Sequence, residues 1–345
     1  MSPEKLIFRF EELGREHKPL VGKKCANLGE MMRLGLAVPP GFATSIAMYR
    51  RFAKETGAAA EITAYVSQMG TLKGRNITVF DEMSQKIRGI IESKEMPPAL
   101  AKMIASHYKV LQKKGNHDGA VSVRSSGAES RPGMFETYLN VVGIEDVLDK
   151  IKKVWSSAYT ARAIALRVNK DIPVTGDELG VAVSRMVNAR SAGISFTLDP
   201  ITSDTSRVVI DSSWGLGEGV VSGDQDVDHF VVDKRSLKII ESTTGKKTKK
   251  VVKKKRGVGR DDVPLKQQSV LSLSNEEVLA IAKLALLLEE KMGGAQDVEW
   301  AIDADATPPD NIVLLQTRPA RLTVKKAESV ADRMVDLIVQ KFYRP

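Results

Sequence analysis

The chain has 345 residues, 42% apolar and 28% charged with few aromatics, enough for a substantial core spread over two or three subdomains. No apolar run approaches membrane-spanning length, the N-terminus carries no signal-peptide pattern, and the single cysteine, Cys25, excludes an internal disulfide. A single cysteine fits a reducing cytoplasm. The net charge of +9 is local, because Lys246, Lys247, Lys249, Lys250, Lys253, Lys254, Lys255 and Arg256 supply +8 of it.

In chain order, Leu6 to Phe10 reads as a short strand. Val21 to Met31 is a glycine turn entering a helix with Leu28, Met31 and Met32 on one side, and Gly35 is suited to stop it. Lys23 and Lys24 lie at the turn, where a lysine can reach a phosphate. Val38 to Phe42 is extended, and Thr44-Ser45 caps the helix carrying Met48 and Phe52. Three more helices are expected before residue 114. One has Val79, Phe80, Met83, Ile87, Ile90 and Ile91 at helical spacing, and another opens at Pro97-Pro98.

Gly119 to Ser126 is a strand that delivers Arg124, Ser125 and Ser126 into a polar loop, Gly127 to Gly133, before a strand at Phe135 to Val142. Such a strand and loop make a phosphate cradle or merely a solvated hairpin. Helices are expected at 144–156 and 158–168, then strands at Gly180 to Val187 and Ala192 to Thr197 joined by a turn at Asn188-Ala189-Arg190. Val208 to Asp211 runs into Ser213 to Gly223, whose four glycines allow close backbone approach to a ligand, a hinge or a plain tight loop. Asp228 to Asp233 and Leu237 to Glu241 continue the meander. Lys246 to Arg256 has no interleaved aromatics to stack bases, so it is a solvated loop or hairpin tip rather than a nucleic-acid surface. Ser274 with Glu277 forms a capping box for a helix that ends at Gly293-Gly294.

Gln296 to Ile302 and Ile312 to Arg318 alternate with period two, so each reads as a strand. Asp297 and Glu299 share one face, and Gln316 and Arg318 share another. Pairing as a hairpin brings two carboxylates, an amide and a guanidinium together, with the turn at Asp303 to Asn311 outside. Oxygen donors suit Mg²⁺, and a magnesium site beside an arginine handles polyphosphate. A surface salt-bridge cluster has the same composition. With strands in meanders and helices between them, the class is α+β.

Four stretches in this order resemble the ATP-binding domain of the phosphoenolpyruvate synthase and pyruvate phosphate dikinase family. They are Val21 to Met31, Val123-Arg124-Ser125-Ser126 through Pro132-Gly133-Met134 to Asn140, Ser213 to Gly223, and Gln296 to Pro319. Ala192 to Pro200 is similar to the family's strand segment before its glycine loop. The resemblance implies an ATP-grasp-like fold with ATP between two lobes, at residues 1–205 and 206–323. It implies that Lys24 and Arg124 contact the ATP phosphates, that Glu299 and Gln316 bind Mg²⁺ and polyphosphate beside Asp297, and that Arg318 meets the transferring group. Where the family has Gly-Gly-Lys-Gly this chain has Gly22-Lys23-Lys24-Cys25, which leaves either lysine as the working one.

Full-length members continue into a swivelling domain with a phosphorylated histidine and then a pyruvate-binding barrel. His17, His107, His117 and His229 lie in no such loop, and no two are close in sequence. The expectation is therefore an ATP-binding subunit that passes the β-phosphoryl group, as pyrophosphoryl, to a histidine on a separate partner subunit, releasing AMP. By domain content the arrangement resembles phenylphosphate synthase, which makes phenol the expected acceptor and pyruvate the alternative. A nucleic-acid-binding role for the basic segment is the competing class. Residues 324–345 are expected to form an amphipathic helix with Ala327, Val330, Met334, Leu337 and Phe342 on one side, packed on this domain or on the partner.

Overall fold

The computed structural model describes residues 4–113, 119–128, 134–175, 178–223 and 226–320. The expected C-terminal helix, His117 and loop residues 129–133 lie outside the described residues. No described helix is long and apolar enough to cross a membrane.

The first part of the chain runs β1 (Ile7–Arg9), α1 (Lys18–Arg33), β2 (Gly41–Thr44), α2 (Ile46–Glu55), α3 (Ala58–Gln68), α4 (Ile77–Ser93) and α5 (Pro98–Lys113). It continues through β3 (Val121–Ser126), β4 (Thr137–Val141), α6 (Ile144–Ser156), α7 (Ala161–Asn169) and β5 (Gly180–Arg185). Its five strands form an antiparallel sheet in the order β1-β2-β5-β3-β4. The second part comprises β6 (Ala189–Phe196), β7 (Arg207–Trp214), α8 (Glu218–Val221), β8 (Asp228–Asp233), β9 (Lys238–Thr243), β10 (Lys249–Lys253) and β11 (Val258–Asp262). It ends with α9 (Asn275–Met292), β12 (Gln296–Asp303) and β13 (Ile312–Pro319). Six of these strands make a second antiparallel sheet, β13-β12-β6-β7-β8-β9, while β10 and β11 pair separately.

Local chemistry sets the helix ends as the residue types require. The Ser45 hydroxyl accepts from the Met48 amide at 3.3 Å, and Ser274 and Glu277 close the capping box on α9. The apolar stripe of α4, with Phe80, Met83, Ile87 and Ile91 buried, packs with α6, α7 and the first sheet in one core. A second core joins the beginning of the chain to its end. In it Val21, Cys25, Leu28 and Met31 of α1 meet Val298, Trp300 and Leu314 of the last hairpin and Val278, Ile281 and Leu288 of α9. Helix α1 thus belongs to both halves of the molecule.

The expected turn at Asn188-Ala189-Arg190 does not join paired strands. Strand β5 lies between β2 and β3 in the first sheet, whereas β6 lies between β12 and β7 in the second. Val183 faces Phe42 and Val123, while Ile194 faces Glu299 and Asp211. Residues 186–188 are the crossover between sheets, and β6 (189–196) belongs to the second sheet. Turn-forming residue types permit a reversal, but the partners that complete each ladder come from distant sequence and decide the sheet.

The basic segment is a hairpin. Lys249 pairs with Asp262 at 2.6 Å and Lys254 with Asp261 at 2.5 Å. Lys247 departs from the solvated expectation, because it is fully buried and ion-paired with Asp228. Asp228 also accepts from the amides of Gly245 and Ser272 at 3.1 and 2.7 Å, so the buried pair is well hydrogen-bonded.

Candidate functional site

A cavity of about 540 Å³ lies between the two sheets. Its wall includes an apolar cluster, Leu139, Met186, Ala189 and Leu216, with Arg185 and Glu218 next to it in sequence, and a polar group, Lys24, Arg124, Glu299, Gln316 and Arg318.

The polar group is assembled from three pieces of chain. The first is a kink in α1 at Gly22, with φ 79° and ψ 168°. A Cβ there would stand 2.0 Å from the Ser126 carbonyl oxygen, so only glycine fits both the dihedrals and the space. Across this contact the Lys23 amide donates to the Gly127 carbonyl at 2.8 Å and the Cys25 amide donates to Ser126 Oγ at 3.0 Å. The kink therefore sets Lys24 against the end of β3, the second piece, which brings Arg124.

The third piece is the β12–β13 hairpin. Asp297 stands opposite Arg318 and Glu299 opposite Gln316, the pairing anticipated from the alternation. A register shift next to Glu299 leaves Leu315 without a partner in the ladder. Its carbonyl accepts from Arg124 Nη1 at 3.2 Å, and Arg124 Nη2 donates to Glu299 Oε2 at 2.9 Å. Gln316 Nε2 donates to Glu299 Oε1 at 3.0 Å, and Arg318 Nε donates to Asp297 Oδ2 at 2.5 Å. Asn27, one helical turn after the kink, donates to the Thr317 carbonyl at 2.8 Å and ties α1 to β13. All six side chains singled out from the sequence, Lys24, Arg124, Asp297, Glu299, Gln316 and Arg318, meet here, and turn residues 303–311 are absent from the wall.

Charge and burial act together in this group. Burial works to raise the Glu299 carboxyl, but Arg124 and Lys24 beside it hold it below its ordinary value. Asp297 is raised, because burial outweighs its bond to Arg318. Burial, reinforced by Arg124 and opposed by Glu299, pushes the Lys24 amine down to about 7. Lys24 is buried among these charges, and Lys23 also reaches the wall. Arg124 Nε, Asp297 Oδ1 and Gln316 Oε1 are buried without a hydrogen-bond partner among the described residues. Unsatisfied buried donors and acceptors are costly in a folded chain.

Sequence patterns did not indicate three features. Arg124 is ligated directly to Glu299, Asn27 clamps the hairpin, and the apolar wall draws Met186 from the crossover. Leu139 and Leu216 border motifs already noted, and Glu218 is a lone carboxylate within the glycine-rich stretch that also lines the cleft. Met186 has no local signal.

The chain matches the family described as pyruvate phosphate dikinase, AMP/ATP-binding domain, over residues 18–337. It belongs to that family. The domain is 36% identical to a probable phosphoenolpyruvate synthase of Staphylothermus marinus, over 97% of this chain and 43% of that protein. It is likewise 36% identical to the phosphoenolpyruvate synthase of Aeropyrum pernix, over 94% of this chain and 43% of that protein. The chain thus spans less than half the length of these relatives. Among solved structures, D-alanyl-alanine synthetase A from Vibrio cholerae aligns at 10% identity over 74% of this chain and 58% of its own, with a TM-score of 0.29, too slight a likeness to bear on function.

Histidines stand apart from the cleft. His17, His107 and His229 are the three among the described residues, and none lines it. His107 Nδ1 lies 2.9 Å from the Met103 carbonyl, and His229 Nδ1 lies 2.7 Å from Asp211 Oδ1.

Proposed function

We propose that the domain binds ATP in the cleft and delivers its β-phosphoryl group, as pyrophosphoryl, to a histidine carried on a separate subunit, with release of AMP. The observation that carries this is one cavity of nucleotide size, whose wall includes an apolar cluster together with Lys24, Arg124 and Arg318. The base lies against Leu139, Met186 and Leu216. The phosphates lie among the three cations, which neutralise charge as it develops on the transferring group. Glu299 and Gln316, with Asp297 beside them, are the residues that would hold Mg²⁺. The open Asp297 Oδ1 and Gln316 Oε1 are oxygen acceptors of the kind that ion prefers. When bound, magnesium offsets polyphosphate charge, and the protein's share is positioning.

The final acceptor is selected outside this cleft. Relatives named phosphoenolpyruvate synthase put pyruvate first for testing, with phenol, suggested by domain content, second. The domain alone should bind Mg·ATP yet turn over little, and label from β-labelled ATP should leave only when a phosphohistidine domain is supplied in trans. Stable labelling of a histidine within this chain would refute the proposal.

Lys24 adds a pH signature. Its amine titrates near 7 in the free domain, and a bound triphosphate favours the charged form. ATP binding should therefore take up a proton above that pH, and affinity should fall as pH rises from about 7 toward the ordinary lysine range. Calorimetry in buffers of different ionisation enthalpy at alkaline pH measures the uptake. Lys24→Met should abolish it, and buffer-independent heats in the unmodified domain would show that Lys24 does not meet the phosphates.

A further inference from the structure

The β10–β11 hairpin leaves the second sheet and reaches across to the first. In the middle of β10, Gly215 bridges to Val251 and the Leu216 amide donates to the Val251 carbonyl at 2.9 Å, which ties the glycine-rich loop to the hairpin. The buried Lys247–Asp228 pair anchors the chain just before β10. Val251 and Val258 then pack with Leu139, Met186, Ala189 and Leu216, the apolar wall of the cleft.

The tip is bonded to Asn140 of the first sheet, and Arg256 beside it lies 4.0 Å from Asp146 of α6. Between Val121 and Val123 the register of β4 slips, so that Leu139 and Asn140 together stand across from Ser122. Asn140 takes φ 54°, a left-handed conformation that asparagine tolerates better than most residues. Its buried side chain points off the ladder, and Nδ2 donates to the Lys254 carbonyl at 2.6 Å and the Gly257 carbonyl at 2.8 Å. The Gly257 amide returns a bond to the Asn140 carbonyl at 3.3 Å. Gly257 itself has φ 67°, with open space where a Cβ would stand.

We infer that Asn140 is a positioning residue for nucleotide binding, clasping the hairpin tip to the first sheet and thereby holding the apolar wall closed around the base. This rests on the assignment of the cleft to ATP. Neither lobe can part at the base end without breaking the Asn140 bonds, so the clasp governs release of ligands that have a base. A ligand without one engages only the polar group, which is held by Arg124, Asn27 and the Gly22 kink.

The experiment compares ATP with Mg²⁺-tripolyphosphate on the unmodified chain, Asn140→Asp and Gly257→Val. Asn140→Asp keeps the shape and removes the two donated hydrogens, while Gly257→Val strains the exposed tip without touching the first sheet. Each variant should release ATP about tenfold faster, the scale of losing one or two hydrogen bonds. Tripolyphosphate affinity should stay unchanged even where the melting temperature falls, and the double variant should release ATP no faster than either single one. Equal losses for both ligands would reduce Asn140 to a structural role, and unchanged ATP release in both variants would overturn the clasp. An unmodified chain that fails to bind ATP would instead overturn the cleft assignment, and the clasp with it.

Discussion

Replacing Glu299 with glutamine is expected to lower phosphoryl transfer by at least about a hundredfold, the loss typical when a preorganised charge contact is removed. The carboxylate accepts from Arg124 at 2.9 Å and from Gln316 at 3.0 Å, and it offsets the Lys24 amine. Glutamine keeps the volume but leaves two cations without their counter-charge in a buried site. Glu299 is also only 8% exposed. Glu299→Ala should cost about 3–5 kcal/mol of stability by breaking a buried ion pair. Denaturant titration beside single-turnover kinetics separates the two effects. Near-normal turnover in Glu299→Gln would remove the hairpin from the active centre.

Arg124→Ala should have a comparable effect by another route. The guanidinium closes the gap between the sheets, bonded to Glu299 in β12 and to the bulge carbonyl of Leu315 in β13. Its loss removes a phosphate partner and also the strut that holds β3 against the hairpin. ATP affinity should fall by about 3 kcal/mol, roughly a hundredfold, and single-turnover transfer should fall at least as much. Arg124→Lys restores the charge without the forked geometry and should recover only part of either. Unchanged affinity in calorimetry would place the phosphates elsewhere.

The elements that were legible in the sequence are those whose cause is local. The β12–β13 hairpin shows itself by alternation over Gln296 to Ile302 and Ile312 to Arg318, and the start of α9 by Ser274 and Glu277. In such cases neighbours along the chain supply both the pattern and the hydrogen bonds. The site residues were legible for a different reason. Lys24, Arg124, Glu299, Gln316 and Arg318 sit in long motifs whose order matches a family, and the structure brings them to one cavity.

What failed was long-range. Asn188-Ala189-Arg190 has the composition of a turn, yet β5 and β6 enter different sheets because their ladders are completed by β2 and β3 on one side and β7 and β12 on the other. Lys247 reads as one charge in a solvated run, yet its partner is Asp228 in an earlier strand.

Composition, periodicity and capping by themselves determined that the chain is an α+β protein, where most helices and strands begin, and which polar side chains share a strand face. Only the tertiary structure decided that Lys24 is buried beside Arg124 and Glu299, that Arg124 is bonded to Glu299, and that Asn140 is bonded to the tip of the basic hairpin. Those outcomes depend on the Gly22 kink meeting Ser126, on one unpaired residue at Leu315 and on another at β4. The contacts these features make, Gly22 with Ser126, Arg124 with Leu315 and Asn140 with Gly257, join segments about a hundred or more residues apart, and periodicity along the chain carries no information about such distances.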